Sequence, residues 1–290
     1  MRIVYHLGAH CTDEDRLVRC LLKNRAILAD QGIMVPSPTR YRKLMRDTAV
    51  QLRGQDASEE TQAMILEQIM DGDHAERLIL SWDSFLSFPA WAVRGSLYVF
   101  AGERIRAFTR IFPGIEAEFH MAIRNPATFL PALQSKVNAK GSDDILRKMD
   151  PLYLRWSDAV QQILAQNPGV SLTIWCDEET PLIWPEVLQA VSGHAPDTVL
   201  ADADELLSMI MSDIGMARMK AYCSAHPPQS VAQRRRVVSA FLEKFARQDR
   251  IEMEIDLPGW TDDTVAAMTS RYMEDVERIR RLPGVRVIES

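Results

Sequence analysis

Five short apolar runs constrain this chain more than anything else in it: "RIVYHLG" (2–8), "RLILSW" (77–82), "EAEFHMAI" (116–123), "SLTIWC" (171–176) and "VRVIE" (285–289). Several are nearly continuous in apolar residues, as strands buried on both faces must be. The stretches between them are too long for hairpins and carry apolar residues at helical spacing. Strands separated in this way pair in parallel through helical crossovers. The expected class is therefore α/β, a mainly parallel sheet flanked by helices.

Helical patterns fall at 13–31, 58–71, 101–112, 126–139, 151–166, 181–192, 203–224, 230–248 and 262–281. The chain reads as one α/β domain over 1–290, in which the strand-free segment 203–248 forms a helical cap or insertion. "PSPTRYRKLMRDTAVQLRGQDAS" (36–58) is rich in polar and turn residues and is expected to be a mobile loop or lid. Trp156, Trp175, Trp184 and Trp260 sit in periodic apolar patterns that predict core packing.

Charge excludes some functions. A formal net charge of -6 and a pI near 5.6 argue against general nucleic-acid binding, which calls for a basic face. The Arg234, Arg235, Arg236 cluster is read as a solvated helix face. The chain opens with no charged leader before an apolar segment, and no run is long enough to span a bilayer. A cytoplasmic protein without a membrane span is expected. Cys11, Cys20, Cys176 and Cys223 show no CxxC spacing, so neither a disulfide framework nor a metal site is expected from them.

The first run passes directly into "HLGAHCTDED" (6–15) and then a helical pattern. Strand, turn and helix are the parts of a phosphate cradle, because the first amides of a helix lack partners and its dipole adds positive charge. The GxxxxGK sequence followed by Ser or Thr is absent.

The stretch "HLGAHCTDEDRLVRCLLKNRAILADQGIMVP" resembles the opening of bacterial P-loop sulfotransferase-like proteins, with His6, Leu7, Gly8, Thr12, Leu17, Leu21, Asn24, Arg25, Leu28, Gly32 and Pro36 in step. "LILSWDSF" (78–85) resembles the family's second strand. "MAIRNPATFLPALQSKV" (121–137) resembles the strand and helix that carry the Arg and Ser for the nucleotide 3′-phosphate. "RYMEDVERIRRLPGVRVI" resembles the family's last helix and strand. The resemblance implies a P-loop NTPase-like three-layer fold. It also implies a 3′-phosphoadenosine 5′-phosphosulfate donor held by Gly8, Ala9, His10, Cys11, Thr12 and Asp13, with Arg124 and Ala132 at the 3′-phosphate. Cys11 stands where the loop Lys belongs, Asp13 and Glu14 replace the Gly and Thr after it, and Ala132 replaces the Ser, while Arg124 is kept.

A carboxylate about 6 Å from a phosphosulfate costs roughly 2 to 3 kcal/mol at an effective dielectric near 20, and a missing Lys forfeits a comparable attraction. The same acids suit a helix start, with Thr12 as N-cap and Asp13, Glu14 and Asp15 in the first turn. His6 and His10 are candidates for proton transfer or for a metal shared with Asp13 or Glu14, although His6 also reads as a structural histidine ending a strand. Asp83 reads as a general base at a strand end or as a turn cap. Arg124 reads as an anion clamp or as the partner of Asp83 or Glu14.

Two functions follow. In one, the chain has lost donor chemistry, needs no cofactor, and serves as a binding or regulatory module for an unidentified small molecule or protein. In the other it is an active sulfotransferase whose loop has been rewired, with Arg124 and Arg94 or Arg104 supplying positive charge.

Overall fold

In a computed structural model, which describes residues 1–71, 74–139, 149–251, 255 and 259–290, six strands form one sheet. They are β1 (Arg2–His6), β2 (Ile33–Met34), β3 (Arg77–Ser81), β4 (Glu116–Ile123), β5 (Ser171–Cys176) and β6 (Val285–Ile288). Their order is β2-β3-β1-β4-β5-β6, and every neighbouring pair is parallel. All five apolar runs lie in this sheet, and β2 joins it without having been expected, because two residues leave no pattern to read. The register sets His6 opposite Ser81 on one side and His120 on the other.

The helices are α1 (Arg16–Lys23), α2 (Arg25–Ala29), α3 (Pro38–Leu52), α4 (Glu59–Met70), α5 (Ala101–Thr109), α6 (Pro126–Asn138), α7 (Trp156–Gln166), α8 (Thr180–Ser192), α9 (Glu205–Ile210), α10 (Asp213–Ala225), α11 (Val231–Phe245), α12 (Gln248–Ile251) and α13 (Asp262–Arg280). Successive strand residues point to opposite faces and so build two cores. Ile3, Tyr5 and Leu7 meet Tyr41 and Met45 of α3, Ile105 of α5, Phe129 of α6 and Ile279 of α13. Val4 and Ile79 meet Leu17 and Val18 of α1 and Val187 and Leu188 of α8. The molecule is a three-layer α/β structure with helices over both faces of an all-parallel sheet. Trp156, Trp175 and Trp184 are fully buried and Trp260 packs partly buried against the core, as their patterns predict. Among the described residues no helix is long and apolar enough to cross a membrane.

Three expectations need correction. Residues 36–58 hold a helix, α3, where a mobile loop was expected. Pro38 stands in its first turn, and Tyr41, Met45 and Thr48 recur on one buried face, enough apolar contact to hold a helix whose other residues are mostly polar. The pattern at 13–31 is two helices, with Asn24 between α1 and α2 fixing the break through hydrogen bonds to Cys20 O and to Ala201. Two arginines of the supposed solvated face are anchors. Arg235 pairs with Glu186 of α8 at 2.9 Å, and Arg234 donates to Leu182 O at 3.2 Å. They fasten α9, α10 and α11, which share a small core of Leu207, Met211, Met216, Met219 and Val238, to α8.

Candidate functional site

From β1 the chain crosses to β2 on one side of the sheet, and from β3 it crosses to β4 on the other. Crevices in open α/β sheets form at such a reversal, outside the C-terminal ends of the strands. All three of His6, Asp83 and Arg124 stand at that edge, His6 ending β1 and the other two following β3 and β4.

Beyond His6 the chain stays close to β4, with Leu7 N donating to His120 O at 2.8 Å and Ala122 N to Gly8 O at 2.6 Å. Gly8 has φ +93°, and a Cβ there would lie 3.0 Å from the Asp83 Cα. Only glycine lets the first turn pass so near the end of β3. Thr12 Oγ1 closes the turn by donating to Ala9 O at 2.8 Å. Thr12 is thus not the N-cap. Glu14 and Asp15 adopt left-handed backbone (φ 49° and 64°), so the helix cannot begin before Arg16 and its first turn carries no acid. Asp13 takes the capping role instead, its Oδ2 accepting from Leu17 N at 2.9 Å.

The turn closes one side of a small polar cavity of about 150 Å³. His6, Ala9 and Cys11 form part of its wall, together with Ser81 from β3. The carboxylates of Asp13, Glu14, Asp15 and Asp83 face two cations, Arg42 and Lys136, a formal excess of two negative charges. Lys136, on α6, reaches over the turn to Glu14 at 3.3 Å and Asp83 at 3.4 Å. Arg42, on α3, forks onto Asp15 at 2.5 and 3.1 Å and donates to Ser81 O at 2.9 and 3.1 Å.

Electrostatics fix the protonation states. Burial raises the Asp83 carboxyl, but the fields of His10 and Lys136 and hydrogen bonds from Ser84 and Lys136 outweigh it and hold the group below its usual range. Asp83 is therefore a lasting anion and a weak base. Burial pushes the Cys11 thiol up to about 11, which leaves it protonated and poorly nucleophilic at neutral pH. Burial lowers His6 despite the nearby Asp13, Asp15 and Asp83, so its ring is neutral. His6 Nδ1 meets Ser81 Oγ at 2.8 Å and the ring stacks on Trp175.

The other expected residues look elsewhere. His10 lies fully buried, stacked on Tyr98, whose hydroxyl accepts from the His10 amide at 3.1 Å and meets Nδ1 at 2.8 Å. The other ring nitrogen, Nε2, lies 3.8 Å from Asp83. Arg124 donates to Cys11 O at 2.5 Å and Thr128 Oγ1 at 3.0 Å and lies 3.9 Å from Asp177. It braces the back of the turn, beside Asp177. Ala132 packs partly buried against the apolar core one helical turn before Lys136. Arg94 and Arg104 lie over the rings of Trp91 and Phe88, outside the cavity. Among the described residues no group of three or more His, Cys, Asp or Glu is placed to hold a metal ion.

Sequence reasoning missed Lys136 and Arg42 as site residues. Lys136 follows Ala132 by four residues, which puts both on one face of α6 and offers a usable signal. Arg42 was hidden by reading α3 as a loop. Comparison with family models, with curated proteins and with solved structures yields no match to this chain.

Proposed function

We propose that this chain is a sulfotransferase-like, P-loop NTPase-like protein that has lost transfer from 3′-phosphoadenosine 5′-phosphosulfate and works as a binding or regulatory module through the crevice at its strand ends. One observation carries the reading: the cations around the cradle are held by the protein's own acceptors, Lys136 by Glu14 and Asp83, Arg42 by Asp15 and Ser81 O. The cavity keeps an excess of carboxylates over cations. A phosphosulfate entering it meets several like charges at roughly 2 to 3 kcal/mol each before solvent screening, with no uncommitted ammonium to offset them. Even halved, the sum is roughly a thousandfold in affinity.

Lys136 also supports a second reading. Its ammonium stands over the turn that lacks a loop Lys, and in an active sulfotransferase with a rewired cradle it would supply that charge by leaving Glu14. Thermal unfolding separates the two. With adenosine 3′,5′-bisphosphate at about 1 mM, the first reading predicts an unchanged Tm. An upward shift of several degrees, lost in Lys136→Met, would instead support the active enzyme.

A further inference from the structure

We propose that an exposed strip of aromatic rings and arginines beside the crevice, built from Phe88, Trp91, Phe100, Arg94 and Arg104, docks an acidic segment of a protein partner. The strip uses none of the cavity residues and does not rest on the reading above.

The segment after β3 makes a single 3₁₀ turn at Pro89–Trp91. A spacing of three residues in such a turn aligns side chains, so Phe88 and Trp91 project on the same side. They are 39% and 51% exposed, and Phe100, just before α5, is 49% exposed. Each ring of the turn carries a guanidinium: Arg94 lies 4.7 Å from the Trp91 centroid and Arg104 lies 5.0 Å from that of Phe88. Arg104 follows Phe100 by four residues, which makes the two neighbours on the helix surface.

The arginines are the decisive feature. Among the described residues no carboxylate lies within ion-pair distance of either guanidinium, although the chain has 40 acids to 34 Lys and Arg. Glu103, exposed and adjacent in sequence, does not pair with Arg104. One Arg104 Nη donates to Ser84 O at 2.8 Å and its Nε is buried without an acceptor, so the head group is fixed in place before any partner arrives. Rings hold both cations against their faces, partly out of water, where a carboxylate attracts them more strongly than in bulk solvent. Trp, Phe and Arg are the residues enriched at protein interfaces, and Trp and Arg dominate their binding energy. Raised, half-exposed rings suit a partner chain better than a small molecule, which favours a concave site. The complement is a peptide segment that alternates carboxylates, which accept from Arg94 and from the remaining Nη of Arg104, with apolar side chains for the rings.

Fluorescence anisotropy of a fluorescein-labelled peptide of alternating Glu and Leu, titrated with the full chain, tests this. The control peptide carries Gln in place of every Glu. The Glu peptide should bind at least about tenfold more tightly than the Gln peptide and weaken with added salt. Arg94→Gln with Arg104→Gln should erase the difference, and Trp91→Ala should weaken binding about tenfold, the loss expected of a central aromatic anchor. Trp91 is half exposed, and an unchanged circular dichroism spectrum will verify its fold. No binding, equal binding of the two peptides, or full binding by Trp91→Ala would overturn the proposal. So would tight binding of phosphatidylserine vesicles lost in the same variants, which would make the strip a lipid surface.

Discussion

Two clusters of charge stand at opposite ends of the same sheet, built from the same residue types and put to different use. At the N-terminal end Arg77 forks onto Glu118 at 2.9 and 2.8 Å, and His120 meets the same carboxylate at 2.6 Å. Arg77 also donates to the last carbonyls of α8, Val191 O at 3.0 Å and Ala190 O at 3.2 Å. Its side chain is 14% exposed and that of Glu118 is 13%. With Arg2 and Glu116 added, cations and carboxylates balance. At the C-terminal end the side chains of Lys136, Asp83 and Glu14 are 26%, 34% and 49% exposed, and carboxylates outnumber cations. Cover and balance make the first cluster part of the architecture. Openness and excess charge leave the second as a part-exposed crevice lined by more carboxylates than cations.

The sharpest way to break this contrast is to remove one acid from each cluster. Glu118→Leu strands the half-buried Arg77 and should cost about 3 to 5 kcal/mol in urea unfolding, whereas Glu14→Leu should stay within about 1 kcal/mol. Equal losses would erase the distinction. Gly8→Ala, which forces a Cβ to 3.0 Å from the Asp83 Cα at φ +93°, should cost about 2 to 3 kcal/mol by the same assay. A neutral result would mean that the turn does not press on β3.

Acidification sharpens the comparison further. Burial holds His6 and His120 below the usual 6.5, so both are neutral in the fold and take up protons more readily once unfolded. Their contribution is present above about pH 6.5 and is lost as pH falls through the lowered values. For Glu118 burial acts upward, but hydrogen bonds from His120 and Arg77 prevail and hold it at about 2 against an ordinary 4.5. Its contribution is complete above about 4.5 and lost as pH falls toward 2. Urea midpoints should thus decline in two stages, and a flat profile between about pH 7 and pH 5 would contradict neutral buried histidines. Lys136→Met should have the smallest effect, under about 1 kcal/mol, because Lys136, Glu14 and Asp83 are all part-exposed.

The sheet was legible because strands buried on both faces spell their burial in consecutive apolar letters. Gly8 and the acidic turn were legible because a strand-to-helix turn is local in sequence. What stayed hidden depends on contacts between distant segments: Lys136 meets Glu14 across 122 residues and Arg42 meets Asp15 across 27. The turn itself misled in one respect. Thr12, Asp13, Glu14 and Asp15 have the composition of a helix start, yet the left-handed backbone at Glu14 and Asp15 moves that start to Arg16. His10 stacks on Tyr98 and Arg124 donates to Cys11 O behind the cavity wall, contacts between segments that no spacing reveals.

Calorimetric titration of adenosine 3′,5′-bisphosphate, into the native chain and into the Glu14→Gln, Asp83→Asn variant, addresses the central claim that the protein's own carboxylates close the cradle to the donor. The native chain should give no binding heat, and the variant, with Lys136 released and two negative charges removed, should gain measurable affinity. A dissociation constant in the low micromolar range for the native chain, about 8 kcal/mol of binding, would contradict the account.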